Sequence, residues 1–587
     1  MGYSKYKDAL PEESIGNAKQ VFVILGISYE LKTTKKAEGV YSTVLYEPDG
    51  KWITCGKGTT EQYCEASAWG EAIEHLCNYT AYNMMNLSKE AKEFGGFNHY
   101  PDEKMMDIDR LPYEAPDLFE DVRKSYYLAN GYRVSDSVLC SLLKVYFGKD
   151  ALPSIPFWGI KKQEVRYFPE ALIYNLCGSN GGGAGNTAQE AIGHGLDEIT
   201  ERYVKEKIYH EKLTPPTINK EYLNNKCPEL METIRDIEKK QNVSITVKDA
   251  SMGKGFPVVC VVIINKINQT YLANFGSHPR FEIALERCLT EMLQAYEVGE
   301  STAARKDMSV WTDVDDNVIS STRNWVSLLR DDVGYIPDTF FAGEPSWDFV
   351  EWNRYDQYSN MLGMKEQIAR LGEISQEIYV RNNSYFDFHS YKVYIPGVST
   401  TALPFSERHL HCYELNETIN NLIRKECVFS DEIKYDLLNN YFHPDMFMGT
   451  LSYASMGDYM WYSLYASLLL YFGKENEAIS ILNSQNNRIC ASGVRVLELK
   501  KKHYSEDKIR ELLEVFYAPE DVEYAECWIG DNTFECLIDR YVKGCYDVRA
   551  QGIINEGQEA VNNLHINLKK YMAQNMVSQD GSFLLEG

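Results

Sequence analysis

The sequence predicts a mixed α/β (α+β) domain followed by an all-helical one, and three observations carry that expectation. Over roughly the first 400 residues, short β-branched and aliphatic runs alternate with helical patterns rich in Ala, Leu and Glu. From about residue 405 the strand-like runs stop, and helical patterns follow one another across short polar turns. The length, 587 residues, is what two to four folding units of roughly 150 residues need.

The elements follow in order. Val21–Ile27 (VFVILGI), Val258–Ile264 (VVCVVII) and Tyr271–Phe275 read as strands, being short apolar runs bounded by turn signals. Three helical segments, Glu65–Asn78, Ala188–Ile208 and Phe281–Tyr296, lie between and after them. Residues 300–400 mix apolar clusters with Trp, Asp, Gly and Pro and close on the strand-like Lys392–Ile395, which assigns them to the first domain, residues 1–400. In the second domain, 405–587, helices are expected at Asn416–Lys425, Met460–Phe472, Glu475–Asn483, Glu506–Val515 and Glu556–Asn575. Within Trp461–Leu482 a Gly473-Lys474 turn separates two helices, and Ala478 stands five residues past the glycine, a tetratricopeptide-like arrangement. A single unit is not an array, and a generic helical hairpin reads as well.

Sixty Lys and Arg against 85 Asp and Glu give a formal charge of −25. That argues against direct binding to nucleic acid or an anionic membrane, both of which need clustered positive charge. A hydrophobic fraction of 44% excludes disorder, and no apolar run is long enough to span a bilayer. The opening MGYSKYKDALPEES lacks a signal-peptide layout, and Tyr6 stands where a myristoylation motif wants Ser or Thr, so a cytoplasmic address is expected. The 14 cysteines contain no CxxC pair and read as reduced thiols packed as small hydrophobes.

The strongest local signal runs from Cys177 to Tyr209. Glycines at 178, 181, 182, 183 and 185 read as a loop, either a tight turn or an anion cradle, and Asn186 or Thr187 can cap the helix after it. No GxxxxGK[ST] occurs, and Gly50–Lys57 misses that motif by spacing. In the helix, Glu190, His194, Glu198, Glu201 and Arg202 fall within about 120° of arc, opposite Ile192, Leu196, Ile199 and Tyr203. Alone, such a stripe reads as a solvated face, with Lys205 and Lys207 keeping it soluble.

The pattern recurs twice. Glu71 and Glu74 sit one turn past Ser67, opposite Trp69, Ile73 and Leu76; Arg287 and Glu291 sit opposite Leu285, Leu289 and Met292. These faces hold almost no Lys. Gathered carboxylates repel, whereas a hard divalent cation removes that cost, and Mg2+ commonly joins carboxylates to phosphates. Arginines neutralise phosphoryl charge, so the combination fits an ATP–Mg2+ site. His409, His411 and Cys412 are the one local cluster of soft ligands, and they read as turn or surface residues rather than a zinc site.

These residues resemble the YcaO-domain family. The resemblance rests on SNGGGAGNTAQEAIGHGLDEITERYV (Ser179–Val204), GKGTTEQYCEASAWGEAIEH (Gly56–His75), and FPVVCVVII with FGSHPRFEIALERCLTEMLQ (Phe275–Gln294). KDALPEESI at Lys7–Ile15 is similar to the family's bacterial housekeeping branch, which also carries a helical C-terminal domain. The resemblance implies an α/β domain that holds ATP and Mg2+ on helices without a P-loop. Residue by residue, it implies nucleotide contacts from Lys7, Ser14, Ser67, Asn180 and Asn186. It implies one or two Mg2+ ions on Glu71, Glu74, Glu190, Glu198, Glu201 and Glu291, with phosphate charge met by Arg202 and Arg287. Glu198, Glu201, Arg202 and Arg287 would carry catalysis. His75 departs from the Arg the family often has there.

The implied chemistry is ATP-dependent activation of a peptide or protein backbone amide. A nucleophile adds to the carbonyl carbon, ATP phosphorylates the resulting oxygen, and phosphate leaves. Azolines and thioamides are the family's main products; azoline-forming members commonly end in PxPxP, and this sequence ends in FLLEG, which counts against azolines. The housekeeping branch is linked to β-methylthiolation of an aspartate in the twelfth small-subunit ribosomal protein, as accessory to a radical-SAM methylthiotransferase. The expected partners are such a substrate and a second copy of the chain. The alternative from another class is a non-catalytic ATP-binding scaffold whose helical domain docks a partner. Metal-assisted hydrolysis would leave the glycine run and the arginines unexplained.

Overall fold

The computed structural model describes residues 6–46, 53–78, 100–294, 309–310, 319, 324, 328, 334–352, 357–401, 405, 429–441, 453–484, 488–544 and 556–584. Its first element corrects an expectation. Val21–Leu25 does not form a strand but the last turns of helix α1 (Pro11–Leu25). Pro11 at its first position and Glu12 and Glu13 in its first turn are helix-start signals, and Gly26, at φ 70°, closes it in a left-handed cap. Ala18, Val21, Phe22 and Leu25 are buried at helical spacing while Val23 is 71% exposed, a period that a strand could not give.

The strands, in chain order, are β1 (Glu30–Ala37), β2 (Val40–Tyr46), β3 (Ile53–Gly58), β4 (Lys104–Asp107), β5 (Ala151–Gly159), β6 (Glu164–Pro169), β7 (Gly182–Gly185), β8 (Ser244–Asp249), β9 (Val258–Asn265), β10 (Thr270–Ser277), β11 (Ser309–Val310), β12 (Tyr379–Asn382) and β13 (His389–Tyr394). They form three sheets. One is β1-β2-β3, one is β11-β10-β9-β8, and the largest runs β4-β5-β12-β13-β7 with β6 beside β5. The expected strands at Val258–Ile264, Tyr271–Phe275 and Lys392–Ile395 are thus present, as β9, β10 and the end of β13.

Three long helices each follow a strand of a different sheet: α2 (Glu61–Cys77) after β3, α3 (Ala188–His210) after β7, and α4 (Phe281–Gln294) after β10. These are the acidic helices expected from the sequence. Glycine sets how closely they pack. A Cβ on Gly183 would lie 2.1 Å from the Ala191 carbonyl oxygen of α3, and one on Gly276 would lie 2.4 Å from the Ala284 oxygen of α4. The glycine run is therefore not a loop throughout: Gly182–Gly185 is a strand paired with β13, Gly182 opposite Lys392. Its lack of side chains is what lets α3 lie against it.

Alternate residues of β13 face opposite cores. Tyr394 joins the core that holds Trp69 and Ile73 of α2, and Tyr391 and Val393 join the core that holds Ile192, Leu196 and Ile199 of α3. The largest sheet thus lies between α2 and α3. A further core joins Leu285 and Leu289 of α4 to Val259 and Val261 of β9 and to Val40 of β2.

The C-terminal part is helical, with Tyr453–Tyr471, Glu475–Ser484, Arg488–Lys501, Glu506–Phe516, Pro519–Glu526 and Thr533–Gly544 sharing a core of their own around Leu468, Leu497 and Trp528. The hairpin expected around Gly473 is there, with that glycine at φ 75°. The helix expected at Asn416–Lys425 lies outside the described residues, as do His409, His411 and Cys412. The helix Glu556–Gln574 does not join that core. Leu568 and Met572 pack with Phe386 and Leu25 in the first unit, and the Tyr571 ring stacks on Phe386 at 5.0 Å. Beyond it, Gln579 exchanges two hydrogen bonds with the Asn382 backbone, and Phe583 packs against Tyr391. The end of the chain expected to belong to the helical domain returns to the α/β unit, because its apolar face meets a core already built there. Met572→Ala, at a fully buried site, is expected to cost about 2–5 kcal/mol in denaturant unfolding of that unit; a cost under about 1 kcal/mol would contradict this packing.

Cys527 pairs with Cys536 in a disulfide, Cα to Cα 5.3 Å, which corrects the expectation that every thiol is reduced. Their helices place them side by side across a short turn, a contact that sequence spacing does not show. Cys64, Cys77, Cys140, Cys177, Cys227, Cys260, Cys288 and Cys490 are buried, as expected of small hydrophobes. Among the described residues, no helix is long and apolar enough to cross a membrane.

Candidate active site

The site grows from the N-terminal end of α3. Thr187 caps the helix, its hydroxyl accepting the Glu190 N–H at 3.2 Å. The Glu190 side chain, 5% exposed, accepts hydrogen bonds from Lys7 Nζ at 2.8 Å, the Asp8 N–H at 3.0 Å and Asn186 Nδ2 at 3.0 Å. Ser14 donates to Asn186 Oδ1 at 2.5 Å. Burial would raise the Glu190 carboxyl, but Lys7 and these donors hold it below the usual range. Lys7 and Ser14 from the start of the chain and Asn186 and Glu190 at the start of α3 are thus one cluster.

Two turns along α3, Glu198 accepts the Gly181 N–H at 3.0 Å and Arg202 Nη2 at 2.8 Å. The Glu74 carboxylate lies against Gly182, where a Cβ would come within 2.9 Å of Glu74 Oε1. Across the cleft, Lys57 Nζ is 2.6 Å from Glu291 Oε2, and the Lys57 N–H donates to Ser67 Oγ at 3.3 Å. Arg287 Nη1 lies 3.1 Å from His194 Nδ1 and 4.0 Å from Asp197 Oδ2.

The charges of these groups act on one another. Burial first, then the Glu291 charge, pushes Glu71 up to about 7, against an opposing pull from Lys57. Burial, then Glu198 and Glu71, pushes Glu74 up to about 8. Glu201 is raised by burial and then by Glu291, with Arg287 opposing. His194 lies well below the usual histidine range, through burial and then the Arg287 charge; neutral, it is free to accept from that arginine at Nδ1. Helices α2, α3 and α4 therefore bring Glu71, Glu74, Glu198, Glu201 and Glu291 with Arg202 and Arg287 to a common cleft. A solvated face does not describe α3: even Lys205, expected to keep it soluble, is 3% exposed.

Asn180 stands apart. It is fully enclosed, and its amide donates to the Ser399 carbonyl at 2.8 Å, tying the loop before β7 to the turn that follows β13. Sequence reasoning missed three charged residues of the cleft: Lys57, Asp197 and Lys392. Lys57 stands inside the quoted GKGTTEQ run. Lys392 had a signal too, a lone cation in the otherwise apolar strand YKVYI. Its Nζ donates to the Gly178 carbonyl at 2.8 Å, and burial lowers it while Cys177, Glu198 and Glu74 pull it back up.

The donor set fits Mg2+. Carboxylate oxygens are the hard ligands that ion takes, and the repulsion that raises Glu71, Glu74 and Glu201 is what a divalent cation would relieve. Among the described residues, no three acidic, His or Cys side chains already converge as a metal group; Glu190, Glu198 and Glu291 instead close on Lys7, Arg202 and Lys57. A pH dependence follows. Burial lifts Glu71 and Glu74 above the ordinary carboxylate range, so the ligand-free fold binds more protons than the unfolded chain and loses stability as pH rises from about 5 to 8. Mg2+ needs the ionised carboxylates, so its affinity should rise over the same interval. Melting temperatures at pH 6 and 8, with and without Mg2+ and nucleotide, test both signs; a ligand-free protein more stable at pH 8 would contradict them.

Comparison with known proteins bears on this cleft. The chain is 30% identical over 401 residues to the ribosomal protein S12 methylthiotransferase accessory factor YcaO of Escherichia coli K12, covering 67% of this chain and 65% of that protein. It is equally similar to an uncharacterized protein of Haemophilus influenzae, with the same coverage. The match thus spans about 65% of the length of these curated relatives. Among solved structures, a heterocyclase in complex with substrate and cofactor overlaps with a TM-score of 0.43 at 18% identity, over 67% of this chain and 53% of its own. The YcaO of Methanopyrus kandleri bound with AMPPCP and Mg2+ overlaps with a TM-score of 0.41 at 16% identity, over 68% of this chain and 93% of its own. The family model for the YcaO cyclodehydratase, ATP- and Mg2+-binding, matches residues 55–399. That span takes in α2, α3 and α4 and every charged residue of the cleft except Lys7, and by it the chain belongs to the YcaO family.

Proposed function

We propose that the cleft binds ATP with Mg2+ and spends it to phosphorylate the oxygen of a peptide or protein backbone amide. The observation that carries this reading is the meeting of Glu71, Glu74, Glu198, Glu201 and Glu291 from three helices with Arg202 and Arg287. Bound Mg2+ would neutralise phosphate oxygens and fix the terminal phosphate for transfer. Glu71, Glu74, Glu198, Glu201 and Glu291 would hold it, with Glu190 at the far end of the cleft as a further ligand. Lys7, Ser14, Asn186 and Glu190 hold the rest of the nucleotide, with Ser67 beside Lys57 on the opposite wall. Asn180 acts by fixing the loop that carries the Gly181 N–H. Arg287, kept on the cleft side by His194, and Arg202 meet the charge that builds on the transferring phosphoryl group; positioning and charge do most of the work in such a transfer.

The acceptor follows from the relative named as an S12 methylthiotransferase accessory factor. The proposed substrate is a backbone amide of a small-subunit ribosomal protein, acted on with a radical-SAM methylthiotransferase in the cytoplasm. An azoline or thioamide in a peptide natural product is the alternative acceptor. The helical unit, tetratricopeptide-like at its Gly473 hairpin and holding its own core, is proposed to dock that partner or a second copy of the chain. The purified chain should convert ATP to ADP and phosphate slowly with Mg2+ and not with EDTA. Nucleotide binding without any hydrolysis, in the presence of the partner and acceptor, would leave the scaffold reading instead.

A further inference from the structure

We infer that Lys392 is a further ligand of the nucleotide's terminal phosphate, a role that rests on the cleft being an ATP site. Lys392 of β13 stands directly opposite Gly182 of β7, and residues so paired project to the same face of the sheet. A Cβ on Gly182 would point at Glu74 Oε1, 2.9 Å away, so that face is the one Glu74 covers. Lys392 therefore leaves the sheet beneath Glu74. Its Nζ is held by the Gly178 carbonyl at 2.8 Å, and the same short loop presents the Gly181 N–H to Glu198, whose other oxygen takes Arg202.

The residue is out of place for packing alone. Its strand neighbours Ser390, Tyr391, Val393 and Tyr394 are buried, and Lys392 is 9% exposed. Lysine is rarely so buried without an anionic partner. Without ligand, Glu74 and Glu198 offset its charge. When those carboxylates turn to a metal ion, the ammonium keeps its charge and has donors beyond the one given to Gly178. An anionic phosphate oxygen is the acceptor that answers both. Position selects which phosphate: Glu190, which belongs to the Lys7 and Ser14 cluster, lies eight residues or about 12 Å back along α3 from Glu198. The nucleoside lies toward that cluster, and the phosphates run toward Lys392.

The test compares AMPPCP and ADP, each with Mg2+, by calorimetry on the full chain. Lys392→Met, which keeps the length and removes the charge, should lose tenfold or more in AMPPCP affinity, roughly the worth of a charged hydrogen bond, with ADP affinity almost unchanged. Equal losses for both nucleotides, or none, would overturn the proposal, since a lysine that merely offsets Glu74 and Glu198 cannot tell a third phosphate from its absence. Lys392→Arg retains the charge but moves the donors; it should still shift AMPPCP affinity severalfold and leave ADP alone, and it decides the matter if the methionine variant does not fold. Wild-type protein that binds neither nucleotide would sink the ATP reading itself, and this inference with it.

Discussion

Arg287→Ala should lower ATP hydrolysis at least about 100-fold in kcat, the scale seen when one preorganised charge donor is removed from a transition state. The side chain, 19% exposed, reaches the cleft from α4 with His194 on one nitrogen and Asp197 nearby. Nothing else described on α4 can supply its charge at that place. The variant also strands Asp197, whose carboxyl burial already pushes up to about 7, so the fold will lose some stability. Arg287→Lys separates the two effects: it keeps a charge for Asp197 but cannot reproduce the planar fork. A folded Arg287→Lys or Arg287→Ala protein with wild-type turnover would remove Arg287 from the chemistry.

Gly183→Ala should be strongly damaging for a single added methyl. The added carbon would lie 2.1 Å from the Ala191 oxygen and 3.1 Å from the Gly195 nitrogen. Backbone cannot yield as a flexible side chain does, so α3 must lift off β7. Overpacking ordinarily costs about 1–3 kcal/mol, and here the top of that range or more is expected. Activity should go with stability, because α3 carries Glu190, Glu198, Glu201 and Arg202. Gly193→Ala is the control on the same helix. A Cβ there meets nothing within 4 Å, and the exchange should be neutral or stabilise by up to about 1 kcal/mol. Similar melting temperatures for the two variants would refute the close approach of α3 to β7.

The α/β class, the three acidic helices and most of the charged set were legible because amphipathic spacing is a local property. Opposite faces of α2, α3 and α4 separate carboxylates from core residues within one helix length, and no tertiary knowledge is needed to see it. What was not legible depends on contacts between distant segments. Val21–Leu25 looks like a strand until Pro11 and Gly26 are taken as the two ends of one helix. The glycine run looks like a loop until β13 arrives from 200 residues on to pair with it. Lys392, the disulfide and the return of Met572 to the first core are of the same kind. Asn180 shows the converse: a polar residue inside a motif, turned inward to hold the turn after a strand.

On the proposed reading, carboxylates from three helices, crowded and raised towards neutral pH by burial, become a nucleotide site only through Mg2+. Calorimetric titration of the full chain with AMPPCP, in excess Mg2+ and again in EDTA, measures it most directly. The account predicts saturable binding with Mg2+, accompanied by proton release near neutral pH, and none in EDTA. Equal binding under both conditions would contradict it, as would no binding under either.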